Sequence, residues 1–189
     1  MELSPRAGLP PPAPVASVLK HATASGMLPT MGEALRKRLQ QTRFRSPYHE
    51  AMLNLMVAAL HVRDQMEQAC REHEITEPQY NVLRILRGAG PAGHPRREIA
   101  RRMISRAPDL TRLIDRLASR GLVERKRGEA DRRHSVTRIT KKGLKLLEDL
   151  QPTIDALDEA FAARLAPRDA RELSRICELL YGDPESEGR

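Results

Sequence analysis

The sequence contains no tryptophan, and aromatic residues make up only 3% of its 189 positions. Proteins that grip single-stranded nucleic acid stack its bases on exposed aromatic faces, so this scarcity argues against that mode of binding. Cysteine is just as sparse. Cys70 and Cys177 are the two present, and two thiols this far apart make no disulfide framework. No apolar run approaches the roughly 18 residues that a membrane span requires. The opening Met1-Glu2-Leu3-Ser4-Pro5-Arg6 lacks the apolar centre of a signal peptide. A reducing cytoplasm is the expected compartment, with no membrane partner.

Chemistry is equally hard to find. His21, His49, His61, His94 and His134 are scattered, with no nucleophile or carboxylate pair to serve. Cys70 and His73 lie three apart and would offer a metal two ligands, where structural zinc takes four. As a redox switch Cys70 has Arg71 to lower its pKa, but Glu72 and Glu74 to oppose that. Cys177 reads as a small buried residue at a helix-packing position. Gly88 to Gly93 spells G-x-G-x-x-G, yet a helix precedes it rather than a strand, and Pro91 removes a donor that a phosphate cradle needs. No enzyme, metal or cofactor is expected.

What the chain has is positive charge, unevenly placed. The formal net charge is +8. From Arg84 to Lys145 there are 19 Lys and Arg against six Asp and Glu, a net of +13, while the remainder holds 14 against 19, a net of −5. A field concentrated in this way attracts a polyanion and gains from counterion release when it binds one.

Residues 1–29 are rich in Pro, Ala and Ser around Pro10-Pro11-Pro12-Ala13-Pro14, a composition that buries too little to order itself. Thr30-Met31-Gly32-Glu33 has the form of a capping box for a short helix over Ala34 to Phe44, which Ser46-Pro47 stops or redirects. Met52, Leu55, Met56, Ala59, Met66 and Ala69 form one helical stripe between Tyr48 and Glu74. Thr76 and Gln79 make a second capping box, with Pro78 in the first turn and Ile75 placed to staple onto Tyr80. That helix buries Val82, Leu83 and Leu86 and ends at Gly88-Ala89-Gly90-Pro91. Pro95 begins the next, with Ile99, Ala100 and Met103 inward. Pro108 stands first in another, whose inward stripe is Leu110, Leu113, Ile114 and Leu117. Gly121 follows as its C′ residue. Strands around Leu122–Lys126 and Val136–Thr140 then flank a polar tip. Thr140 caps a long helix with Leu147, Leu150, Ile154, Leu157 and Phe161 in a 3,4 spacing, where Pro152 is expected to introduce a kink. Pro167 opens a final helix carrying Leu173, Ile176 and Leu180.

Helix, turn, helix and basic hairpin in this order describe a winged helix-turn-helix, which offers one helix to the major groove and a β-tip to the backbone and minor groove. The expected fold is mainly α with a small β-wing, flanked by N- and C-terminal dimerisation helices. Its segments are an extension (1–29), N-terminal helices (30–74), the winged DNA-binding domain (75–143), C-terminal helices (144–182) and a tail (183–189). The apolar stripes of the end helices exceed what one small winged lobe buries, which calls for a second copy of the chain.

The stretches Tyr80-Asn81-Val82-Leu83-Arg84-Ile85-Leu86, Thr111-Arg112-Leu113-Ile114-Asp115-Arg116-Leu117 and Gly121-Leu122-Val123 resemble the multiple-antibiotic-resistance regulator (MarR) family. So does the wing, with Asp131-Arg132-Arg133 followed by Val136, Ile139-Thr140 and Gly143. The resemblance spans about residues 48–181. It implies a homodimer on a pseudopalindromic operator, a repressor released from double-stranded DNA by a small-molecule effector.

On the helix after Pro108, Thr111, Arg112 and Arg116 share the face opposite the apolar stripe. Arg pairs with guanine in bidentate fashion, and Thr bonds a phosphate or touches a thymine methyl. Asp109 suits capping better than base contact, since phosphates would repel it. Arg106, in the turn before this helix, is a backbone candidate. In the wing, Asp131 pairs with Arg133 and holds it out for a narrow minor groove, with Arg127 and Arg132 on phosphates. The competing reading is a winged-helix module whose basic face binds RNA or an acidic protein.

Overall fold

The computed structural model describes residues 32–105, 109–127 and 135–182. Helices α1 (Glu33–Leu39), α2 (Pro47–Arg71) and α3 (Glu77–Ala89) come first. A 3₁₀ turn (Gly90–Ala92), strand β1 (His94–Pro95), and helices α4 (Arg96–Arg102) and α5 (Leu110–Ser119) follow. Strands β2 (Val123–Arg127) and β3 (Ser135–Ile139) then lead into helices α6 (Lys141–Ala162) and α7 (Pro167–Tyr181). The chain divides into two compact units at Leu55, so α2 begins in one and ends in the next. Among the described residues no helix is long and apolar enough to cross a membrane.

In the first unit, α1 starts at Glu33 behind Gly32, whose φ of 83° no β-carbon-bearing residue adopts easily; no side chain caps it. Thr30, from which a capping box was expected, lies outside the described residues. Helix α1 ends at Leu39, short of the expected Phe44, and the chain is redirected at Pro47, which opens α2 because a fixed φ and a missing N–H suit the first helical position.

The second unit contains the core. Val82, Leu83 and Leu86 of α3, Ile99 of α4, Leu110, Ile114 and Leu117 of α5, and Leu147 and Leu150 of α6 are buried together with Cys70, Ile75, Tyr80 and Leu122. The capping box at Thr76 is present in full. Its side chain accepts from the Gln79 amide at 3.4 Å, and its own amide donates to the Gln79 side chain at 3.0 Å. Ile75 and Tyr80, placed to staple, are both in the core. On α4 only Ile99 is fully buried; Met103 packs against the core, but Ala100 is exposed, contrary to expectation. Seven residues give α4 fewer than two turns, too few for the broad inward stripe that the sequence suggested.

The sheet has three antiparallel strands in the order β1-β3-β2. Val123 pairs with Ile139 and Arg127 with Ser135 across the hairpin, while His94 faces Thr137 on the other side. Strand β1 was not anticipated, and Pro95 belongs to it and caps α4 instead of opening that helix. The helix runs through Pro152 as one element, α6, and its seam grades from buried Leu147 and Leu150 to exposed Phe161.

Candidate nucleic-acid interface

Helix α5 is fixed at both ends by its own sequence. Asp109 is the N-cap, its carboxylate accepting from the Arg112 amide at 3.0 Å. Pro108, expected as the first helical residue, lies outside the described residues. At the other end Gly121 has a φ of 71°, its amide bonds to Ala118 and the Leu122 amide bonds to Leu117. This 6→1 and 5→2 pattern closes the helix tightly and sends the chain straight into β2. The carbonyl of Arg120 also accepts from Lys142 Nζ at 2.9 Å, while the Arg120 guanidinium donates to the Glu74 carbonyl.

With Leu110, Ile114 and Leu117 buried, Thr111, Arg112, Asp115 and Arg116 are left on the exposed side. The structure brings together three of the eight predicted site residues, Thr111, Arg112 and Arg116, on one helical face. Arg106, Asp131, Arg132 and Arg133 lie outside the described residues, and Arg127 is the last residue of β2. The Arg112 Nε lies 2.9 Å from Asp109 Oδ2, yet the arginine side chain remains 80% exposed. The pair orients the guanidinium and leaves its terminal nitrogens open. Asp115 reaches across to β2 and pairs with Arg125 at 2.8 Å, tying the helix to the wing strand.

Beside α5 is a cleft of about 510 Å³, lined by Arg96, Arg97, Thr111, Arg125, Ser135 and Thr137, with Ile114 in its wall. Three arginines thus line the space next to the exposed helical face. Arg96, Arg97 and Arg125 were missed in the sequence, although Arg96 and Arg97 carry a readable signal. Both stand in the first turn of α4, where the helix dipole disfavours positive charge. Glu98 is engaged elsewhere, bonding Arg102 at 2.7 Å and Arg101 at 3.1 Å, and these hydrogen bonds lower its pKa.

Cys70 is fully buried, and burial, followed by the nearby Glu77 and Glu67 carboxylates, raises its pKa to about 11. It is a packing residue. Cys177, expected to be buried, is only partly so in the single chain. Among the described residues no group of three or more His, Cys, Asp or Glu is placed to hold a metal ion.

A three-helix core with an antiparallel hairpin behind an exposed basic helix defines a winged helix-turn-helix protein. The MarR family profile matches residues 75–142. The transcriptional regulator HosA of Escherichia coli O157:H7 is 32% identical over 108 residues, covering 56% of this chain and 78% of that protein. A MarR transcription factor from Planctomyces limnophilus is 40% identical, with a TM-score of 0.57 over 72% of this chain and 99% of its own. PcaV from Streptomyces coelicolor, solved with its natural ligand, is 28% identical, with a TM-score of 0.57 over 72% of this chain and 92% of its own. The chain belongs to the MarR family: it is a DNA-binding transcriptional regulator and not an enzyme.

Proposed function

We propose that the protein is a homodimeric repressor that reads a pseudopalindromic operator and lets go when a small molecule binds. The observation that carries this reading is the exposed face of α5, where Thr111, Arg112 and Arg116 stand clear of the core. Arg112 reads a guanine edge, and Thr111 and Arg116 contact neighbouring bases and phosphates. Arg96, Arg97 and Arg125, gathered in the adjacent cleft, take backbone phosphates. The wing residues Arg127, Asp131, Arg132 and Arg133, together with Arg106, complete the grip on the duplex.

Residues 75–143 act as the reading domain, while 30–74 and 144–182 supply the dimer interface. Support for the second assignment is the apolar surface that these helices leave open. Met52, Leu55, Met56, Leu60 and Val62 of α2 and Leu173, Ile176, Leu179 and Leu180 of α7 are all exposed in the single chain. Exposed apolar surface on this scale marks an association site. Two copies would set their reading helices on half-sites about 10 base pairs apart. Repression is supported by the likeness to IacR of Pseudomonas putida, a transcriptional repressor 26% identical over 121 residues. Effector binding is supported by PcaV, whose structure holds its natural ligand.

Selection of bound fragments from the source genome tests the whole reading. Recovery of one inverted-repeat sequence upstream of a small set of genes is the expected result. Equal binding of random and promoter-derived duplexes at physiological salt would refute it.

A further inference from the structure

The first unit contains a basic element that the winged lobe does not account for. Between Arg36 and Arg45 five of ten residues are Lys or Arg and none is acidic. Averaging charge over the flanks hides this run, because acidic residues elsewhere cancel it. Helix α1 buries only Leu35 and leaves Lys37 and Arg38 exposed. Gln40 then turns the chain with a φ of 52°, and the Gln41 amide bonds the Arg36 carbonyl at 3.0 Å. The Phe44 ring meets His49 edge-on at 6.3 Å, and the His49 amide donates to Ser46 Oγ at 3.2 Å. The turn is thus tied down on both sides. Arg43 and Arg45, which flank Phe44, are exposed.

Among the described residues, Lys37, Arg38, Arg43 and Arg45 take part in no ion pair. Lys37 and Arg38 suit the last turn of α1, but four like charges on so short an ordered segment also repel one another. Duplex DNA, the polyanion that this chain already binds, has the complementary charge. Tethering on the same chain makes a second contact effectively intramolecular once the first has formed.

We propose that Lys37, Arg38, Arg43 and Arg45 form a second, sequence-neutral grip on the phosphates of duplex DNA. The inference rests on the operator reading above, and the two fail separately in the experiment that follows. The full-length protein is titrated with duplexes of ~20 and ~40 base pairs centred on the selected operator, one holding little more than two half-sites and the other a turn more on each side. Titrations are repeated across a salt series.

Changing all four residues to Gln lowers the magnitude of the log-affinity against log-salt slope on the long duplex by about 0.9 for each phosphate that is no longer neutralised. Affinity for the long duplex falls at least tenfold, for operator and random sequence alike. The pairs Lys37→Gln/Arg38→Gln and Arg43→Gln/Arg45→Gln each give part of that decrease, with unfolding midpoints unchanged. An unaltered slope and affinity on the long duplex overturns the proposal. So does wild-type binding to vesicles of phosphatidylserine and phosphatidylcholine that the four-residue variant loses while its DNA binding stays intact, which would assign the patch to a membrane surface. Arg112→Ala, run in parallel, reports on α5 alone through discrimination of operator from random sequence.

Discussion

Replacing Gly143 with alanine should destabilise the protein, although the change improves helix propensity. Gly143 is the third residue of α6, and its amide donates to Thr140 Oγ1 at 3.1 Å. A Cβ at this position would overlap the Leu122 carbonyl oxygen and stand 2.8 Å from Ile139 Cγ1. That carbonyl cannot simply retreat. It accepts from the Thr140 amide at 3.1 Å, and the Thr140 hydroxyl lies 2.7 Å from the Gly121 carbonyl and 3.1 Å from that of Leu122. Propensity favours alanine by about 1 kcal/mol. Overpacking against fixed backbone costs ~1–3 kcal/mol, and weakening one or two hydrogen bonds adds ~0.5–1.5 kcal/mol each. The net expectation is a loss of ~1–3 kcal/mol, or roughly 2–4 °C of Tm for each kcal/mol at this chain length. Gly88, near the end of α3, is the control. It is exposed, and a Cβ there meets nothing within 4 Å. Gly88→Ala should therefore stabilise by roughly 0.5–1 kcal/mol. Urea unfolding of the two variants should give midpoints on opposite sides of the wild type. A Gly143→Ala protein as stable as the wild type would refute the claim that the junction of α5, wing and α6 is close-packed backbone.

Arg112→Ala should cost ~1–3 kcal/mol of operator affinity, read by competition titration, while an exposed ion pair with Asp109 predicts a stability change of only ~0–1 kcal/mol. Asp115→Asn removes a negative charge from the reading face and frees Arg125; affinity for random duplex should rise and discrimination fall, as a filter or fluorescence titration on both sequences would detect. Because the Cys70 pKa rises from 9.0 to about 11 on folding, the unfolded chain loses its proton first; the thiol's contribution to stability is complete below about pH 9 and is lost as pH climbs towards 11. Cys70→Ala should flatten that alkaline decline in urea midpoints, and native Cys70 should resist alkylation at neutral pH. Leu179→Glu/Leu180→Glu, on the exposed side of α7, should give monomers by sedimentation velocity; an undiminished dimer would remove α7 from the interface.

The parts of this fold legible in the sequence are those decided within four or five residues. Thr76 with Gln79, Asp109 with the Arg112 amide, and Gly121 in the left-handed region each follow from chemistry local to one helix end. The parts that were not legible depend on residues far apart in the chain. Strand β1 exists because His94 lies against Thr137, 43 positions later, and two residues containing a proline give no periodic signal of their own. For the same reason Pro95 reads as a helix start when it serves as an N-cap and strand residue. Half of the site was similarly hidden. Thr111, Arg112 and Arg116 follow from the periodicity of α5, whereas Arg125 becomes part of the surface only because the hairpin folds back beside Asp115.

For the DNA-reading role proposed for α5, the two carboxylates Asp109 and Asp115 look self-defeating, since each should repel the phosphates around it. The ion pairs resolve the conflict. Asp109 is engaged by the Arg112 amide and by its Nε, and Asp115 is held by Arg125, so neither charge faces the duplex uncompensated. Each pair is worth little to stability because it is largely exposed. Each instead fixes a direction: Arg112 is steadied on the helix that carries it, and β2 is held at a set distance from α5. Arg116 forms no ion pair among the described residues and stands free on the exposed face of α5. The acids on this surface thus position its arginines, which is why neutralising Asp115 should strengthen binding to DNA in general while weakening recognition of one sequence.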